Sequence, residues 1–296
     1  MEPVNWKICS KRPWYDRTIT SGDNIIMTTA QSPHPSLRDT FPQEGKENKD
    51  WRDRVWVATA VFRREMAAYF DLPIASIFAI VFLLVTCGMF INDFFLVGVA
   101  EMDAYFAPLP MLMILFLPAL SMRSWAEERE INTYEFLRTL PVSPWNLIVS
   151  KYAASYVFFL VTLAGTAPIV FMLYRLGHPD GGKIVASYVG TAGLGAVYLA
   201  VSHYLSSLSR DQIVAYLTSV LVLALLYATG NELVAGILDG LWPTLQIGTL
   251  LRDIISPVPH FETFALGILD LHGALFFLLM GVVPLWMTHG VLERDR

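Results

Sequence analysis

Apolar segments long enough to cross a bilayer recur along this chain from Pro73 onward. A membrane-spanning helix needs roughly 20 predominantly apolar residues, and fewer where polar groups anchor its ends. Six segments meet this requirement: Pro73 to Ile91, Phe106 to Met122, Tyr152 to Tyr174, Ile184 to Leu205, Ile213 to Thr229 and Gly267 to Met287. Several connections between them are short, so neighbouring helices run antiparallel. The sequence therefore predicts an all-α polytopic membrane protein with six transmembrane helices.

The composition agrees with a membrane protein. Hydrophobic residues make up 54% of the chain, charged residues 16%, and the mean hydropathy is +0.48. These values exceed what a soluble domain of this length needs to fill its core. The net charge of -5 leaves no basic face for a polyanion, which argues against nucleic-acid binding. Cys9 lies in a polar stretch and Cys87 in an apolar one, so they are poorly placed for a disulfide or a metal site.

Basic residues are distributed unequally across the predicted membrane. One side carries Arg52, Arg54, Arg63, Arg64, Arg123, Arg129, Arg138, Lys151, Arg210, Arg294 and Arg296, whereas the other side carries Arg175, Lys183 and Arg252. Loops on the cytoplasmic side of a membrane are enriched in Lys and Arg. The distribution therefore predicts that both termini face the cytoplasm.

The chain before the first span divides into two parts. Residues 1–50 are polar and rich in Pro, Ser and Thr, which predicts a disordered cytoplasmic tail. Residues 51–72 alternate apolar and charged positions at helical spacing, with Arg63, Arg64 and Glu65 on the polar side. This pattern predicts an amphipathic helix at the lipid headgroup boundary, before a transmembrane domain over 73–296. The alternative is a helix packed on a soluble partner.

A charged segment, residues 125–145, separates the second span from the third. Charges at this density are excluded from lipid, so the segment is predicted to stand in water. A helix can continue from Trp125 to Leu137, and Pro141 and Pro144 then break it. Its acidic and basic residues alternate, which suits contact with a partner of complementary charge.

Two further patterns are present, one on the external side of the membrane and one within the fourth span. The stretch from Asn231 to Phe264 is rich in Leu and Ile and predicts short amphipathic helices on the external side. Small residues recur along the fourth span, and we interpret them as a helix-packing seam formed by Ser187, Gly190, Thr191 and Gly195.

Several separated blocks of the sequence resemble the ABC-2 type permeases of ABC transporters. The first block is Phe62-Arg63-Arg64-Glu65 with Tyr69-Phe70 and Pro73-Ile74-Ala75, and the second runs from Pro118 to Glu130 and through Leu140-Pro141-Val142-Ser143 to Lys151. Further blocks are Ser187-Tyr188 with Gly190, Ser206 to Ala215, His260 to Phe264, Gly267 to Asp270 and Leu292-Glu293-Arg294. Within this family the chain is similar to the gliding-motility permease branch, which is related to the nitrous-oxide-reductase maturation permease.

The resemblance implies that the charged segment is a coupling helix seated in a groove of a cytoplasmic ATPase. The implied contact residues are Trp125, Glu127, Glu128, Glu130, Thr133, Glu135, Arg138, Pro141, Val142, Ser143 and Trp145. Implied partners are two ATPase subunits that bind ATP and Mg, a second permease subunit, a periplasmic accessory protein and membrane lipids. The implied location is the bacterial cytoplasmic membrane, and the implied function is ATP-driven export of an unidentified substrate.

The sequence contains no nucleotide-binding or catalytic motif. It lacks a Gly-x-x-x-x-Gly-Lys-Ser/Thr loop, because Gly181-Gly182-Lys183 lacks the preceding strand and is followed by Ile184 rather than Ser or Thr. A Gly-x-Ser-x-Gly elbow, a His-Glu-x-x-His pair and a close Cys/His cluster are also absent. We therefore expect no enzymatic activity, no cofactor and no metal in this chain.

The sequence is also compatible with two other functions. The chain could be a membrane-embedded anchor or mechanical transmitter, driven by the ATPase and acting on an envelope partner. It could also be an intramembrane enzyme, for which His203 with Ser202, Tyr204 and Ser206 is the candidate polar cluster. The other interpretation of His203 is a neutral imidazole that bonds to a neighbouring helix.

Overall fold

The computed structural model describes residues 44–71, 73–98, 101–130, 144–241 and 246–294, with backbone alone at 44–57, 73, 97 and 241. Within these ranges the chain is helical and contains no strand, which confirms the predicted all-α class. The helices are α1 Glu44–Asp71, α2 Pro73–Val97, α3 Asp103–Phe106, α4 Leu109–Glu130, α5 Pro144–Ala164, α6 Ala167–Leu176, α7 Gly181–Leu208, α8 Gln212–Thr229, α9 Glu232–Leu241, α10 Ile247–Ile254, α11 Val258–Ala265 and α12 Leu271–Arg294. One compact unit extends over Lys46–Arg296.

The six predicted spans are confirmed among the described residues. The segments long and apolar enough to cross a membrane are Ile74–Leu96, Leu109–Glu130, Pro144–Leu176, Gly181–Leu208, Gln212–Thr229 and Leu271–Arg294. The third span consists of α5 and α6, which are interrupted at Gly165 and Thr166 because Pro168 lacks a backbone donor. Of the predicted tail, residues 1–43 lie outside the described residues. The first helix begins at Glu44, before the predicted start at Trp51.

Helix α7 is the centre of the bundle and packs against α4, α5, α8, α11 and α12. Its glycines allow this close packing, since any larger side chain would collide with a neighbouring helix. A Cβ at Gly190 would lie 2.5 Å from Phe264 of α11, and one at Gly193 would lie 2.5 Å from Phe277 of α12. A Cβ at Gly195 would overlap the ring of Phe159 of α5. The small residues of the predicted seam therefore lie against several helices, and Ser187 and Thr191 are buried among them.

Replacing Gly195 by Ala is expected to lower the free energy of unfolding by about 1–3 kcal/mol, because the added methyl group displaces Phe159 in a packed core. The matched control is Gly290→Ala in α12, where a Cβ meets no atom within 4 Å. That change should be neutral or stabilising by up to about 1 kcal/mol, since Ala favours a helix more than Gly does. Denaturant titration in detergent measures both. Equal stabilities of the two variants would contradict the packing described for α7.

Aspartates set the beginnings of α7 and α8. Asp180 Oδ1 accepts hydrogen bonds from the amides of Gly182 and Lys183, at 2.8 and 3.3 Å. Asp211 Oδ1 accepts from Ile213 and Val214 at 2.7 and 3.3 Å. These bonds satisfy amides that have no partner within the helix, so each cap fixes where its span starts.

The stretch predicted to form short amphipathic helices contains α9, α10 and α11. Asp239 connects α9 to α10 because its carboxylate accepts from the amide of Gly248 at 2.6 Å and from Thr249 Oγ1 at 2.6 Å. These hydrogen bonds, foremost that of the Thr249 side chain, hold the pKa of Asp239 below its usual range. Leu233 and Ile237 of α9 and Ile254 of α10 are exposed, which leaves an apolar surface on this pair of helices.

Candidate functional site

Three helices meet at Lys151, near the start of α5. Its Nζ donates to Glu128 Oε1 of α4 at 2.7 Å, to Glu65 Oε1 of α1 at 3.1 Å and to the carbonyl oxygen of Ser124 at 2.8 Å. The ammonium also lies 5.2 Å from the centroid of the Trp125 ring. We refer to Lys151, Glu65, Glu128 and Ser124 as the Lys151 cluster.

The Lys151 cluster holds its charges away from water. The side chain of Lys151 is 3% exposed, and those of Glu65 and Glu128 are 17% and 10% exposed. Loss of one member from such an arrangement is costly, because the remaining charge stays in a poorly solvated place. The cluster therefore holds α1, α4 and α5 together at one end of the bundle.

Tyr69 provides a second connection between α1 and the bundle. Its hydroxyl donates to the carbonyl oxygen of Leu120 at 2.9 Å, and its ring stacks on Phe158 of α5 at a centroid distance of 5.1 Å. Burial and the nearby Glu65 carboxylate raise the pKa of Tyr69, so the phenol keeps the proton that it donates. Helix α1 is thus attached to α4 and α5 through both polar and aromatic contacts.

The end of α4 is buried against three other helices. Trp125 forms a small apolar core with Ile148 of α5 and Leu292 of α12. Ser206 of α7 donates to the carbonyl oxygen of Met122 at 2.9 Å and accepts from the amide of Trp125 at 3.4 Å. The sequence predicted that the helix continues into water from Trp125, whereas the structure buries Trp125 in this core.

The predicted contact residues of the charged segment fall into three groups. Trp125 and Glu128 are buried within the chain's own packing. Glu127 pairs with Arg123, Glu130 accepts from Gln212 Nε2 at 3.2 Å, and Trp145 stacks on His289 at 4.5 Å with 37% of its surface exposed. The remaining residues lie outside the described ranges: Thr133, Glu135, Arg138, Pro141, Val142 and Ser143.

Within the predicted amphipathic helix, the three charged residues have different surroundings. Arg63 and Arg64 are exposed, whereas Glu65 faces Lys151. Lys151 was predicted to lie on the cytoplasmic side and within a block of family resemblance, but its role as the centre of a cluster was not predicted. The available signal was a lone lysine that directly precedes the apolar run from Tyr152, since a cation at such a position needs a partner.

His203 is buried in α7 and bonds to a neighbouring helix. Its Nε2 lies 2.8 Å from Ser155 Oγ of α5. The hydroxyl of Ser202 donates to the carbonyl oxygen of Tyr198 in its own helix, and that of Ser206 donates to Met122. Of the predicted polar cluster, Ser202 and Ser206 thus bond elsewhere, and the hydroxyl that contacts the imidazole belongs to Ser155. Across the described ranges, no group of three or more His, Cys, Asp or Glu residues is placed to hold a metal ion.

Comparison with protein families agrees with the six-span fold. Residues 96–288 match the family model described as ABC-2 family transporter protein. No curated protein matches the chain as a relative. The matched region extends from the end of α2 into α12 and includes the end of α4, the charged segment and Lys151. Because this match covers more than half of the chain, whose described residues include six helices long and apolar enough to cross a membrane, the chain belongs to the ABC-2 family of transporter proteins and is a multi-pass permease subunit of an ABC transporter.

Proposed function

We propose that this permease subunit exports a substrate with energy from two cytoplasmic ATPase subunits that contact the charged segment. The observation that carries the proposal is the Lys151 cluster. It connects the two helices that carry the ends of the charged segment, α4 and α5, with each other and with α1. A displacement of the segment is therefore passed to three helices together.

The remaining parts of the proposed complex rest on the family resemblance. A second permease subunit, identical or homologous, completes the path at the permease interface, and a periplasmic accessory protein joins it. ATP and Mg bind to the ATPase subunits. We place the complex in the bacterial cytoplasmic membrane with both termini of this chain in the cytoplasm, and we assign the chain to the gliding-motility branch of the family.

Charge reversal in the charged segment tests the coupling role. Glu135→Arg and Arg138→Glu are each expected to weaken substrate-stimulated ATP hydrolysis by about tenfold, because each places like charges at the ATPase contact. The control is Arg294→Glu, which reverses an exposed charge at the end of α12. If both reversals leave assembly of the complex and stimulated hydrolysis unchanged, the charged segment is not the ATPase contact.

The connection between α1 and the charged segment also suits a mechanical transmitter that acts on an envelope partner. Reconstituted vesicles separate the two functions. Export predicts ATP-dependent movement of a defined solute or lipid across the membrane. A mechanical transmitter predicts ATP hydrolysis that is coupled to the envelope partner without such movement.

A further inference from the structure

An apolar groove and a polar cavity meet at Ile184, at the end of the bundle where α6 connects to α7. The groove has a volume of about 390 Å³ and is bordered by Ala167, Phe171, Tyr174 and Tyr188. Phe171 and Tyr174 are 63% and 51% exposed, so the groove opens on the surface that faces lipid. A groove with these dimensions and this lining suits an acyl chain.

A guanidinium lies beside this groove. Arg175 is exposed, and its Cζ is 5.0 Å from the centroid of the Phe171 ring. The two other basic residues predicted on this side are paired, Lys183 with Asp103 at 2.7 Å and Arg252 with Glu232 at 3.0 Å. In the described part of the chain, Arg175 forms no such ion pair with a carboxylate. A guanidinium is planar and offers parallel donors, which makes it a suitable partner for a phosphate.

The adjoining cavity has the opposite charge. Its volume is about 380 Å³, and its charged border consists of Glu101, Asp103, Asp180 and Lys183, with His178 beside them. Three carboxylates and one lysine give an excess of negative charge, which attracts an ammonium group. The ring contact between Phe106 and Tyr188, at a centroid distance of 5.2 Å, forms the wall between cavity and groove.

We propose that this end of the bundle binds a phospholipid with a primary-amine head group. The acyl chain lies in the groove, the phosphate contacts Arg175 and the ammonium enters the acidic cavity beyond Ile184. Each of the three features corresponds to one part of the same molecule. The inference is independent of the ATPase coupling proposed above, so either can fail without the other.

Native mass spectrometry of the purified full chain tests this proposal. The protein is equilibrated with phosphatidylethanolamine, phosphatidylglycerol or phosphatidylcholine, and the retained lipid is counted. We expect one phosphatidylethanolamine molecule to be retained at a lipid concentration about tenfold lower than either of the other two lipids requires. This difference corresponds to one additional charge-assisted contact. Equal retention of all three means bulk lipid only and overturns the proposal. A preference for phosphatidylglycerol or phosphatidylcholine also overturns it.

Two variants locate the lipid. Ala167→Trp fills the groove and Arg175→Gln removes the phosphate contact, so each should raise the half-saturating concentration of phosphatidylethanolamine by about tenfold. Their controls are Ala224→Trp on the exposed face of α8 and Arg210→Gln between α7 and α8, which should leave retention unchanged. Denaturant titration verifies that each variant is folded. Unchanged retention in folded Arg175→Gln, or equal losses in test and control variants, contradicts the assignment.

Discussion

Replacing Lys151 by Met is expected to lower the free energy of unfolding of the permease by about 3–5 kcal/mol, because buried carboxylates lose their cation. Lys151 is the shared partner of Glu65 and Glu128, and their oxygens lie 3.1 and 2.7 Å from its Nζ. Methionine keeps the length and the apolar stem of the side chain, so the change removes the charge and its hydrogen bonds without leaving a large cavity. Denaturant titration in detergent, followed by tryptophan fluorescence, measures the effect.

The control for this experiment removes all three charges together. The triple variant Glu65→Gln, Glu128→Gln, Lys151→Met removes every charge of the Lys151 cluster and should recover most of the stability that Lys151→Met loses. The expected order is wild type, triple variant and then Lys151→Met. A triple variant that is no more stable than Lys151→Met would show that the ion pairs are not the source of the loss.

Replacing Trp125 by Ala is expected to lower the free energy of unfolding by about 3–5 kcal/mol, because it leaves a cavity where a large side chain was buried. Trp125 is 1% exposed and packs against Ile148 and Leu292. Trp145 is the matched control, since it belongs to the same charged segment but is 37% exposed. Unfolding in detergent, measured for both variants, gives the comparison.

The two tryptophans should also separate stability from coupling. Trp145→Ala is expected to change stability by less than about 1 kcal/mol, as for an exposed side chain, while it weakens stimulated ATP hydrolysis. For Trp125→Ala, the main expected effect is the loss of folding stability given above. Equal losses of stability in both variants would show that the burial of Trp125 does not have the energetic consequence described here.

The spans and the charged segment could be predicted from the sequence because both depend on local composition. Six apolar runs of sufficient length can be counted directly, and a dense run of charges between two of them cannot lie in lipid. The burial of the end of α4 within the protein could not be predicted in this way. Trp125 stays buried because of Ser206, Ile148 and Leu292, which are distant in the sequence.

The partners of the buried polar residues were beyond prediction for the same reason. Lys151 bonds to Glu65, 86 residues away, and His203 contacts Ser155, 48 residues away. Such pairings depend on how the helices are arranged, and periodicity within one helix does not contain that information. Gly190 and Gly195 did indicate close helix packing. The identity of the helix that packs on each of them depends on the position of α7 at the centre of the bundle, which the sequence does not show.

The contacts of Lys151 have a consequence for biogenesis. Glu65 lies 86 residues and Glu128 lies 23 residues before Lys151, so the cluster can form only once α1, α4 and α5 have all been synthesised. Under the function proposed above, we expect the ATPase subunits to dock after this cluster has formed.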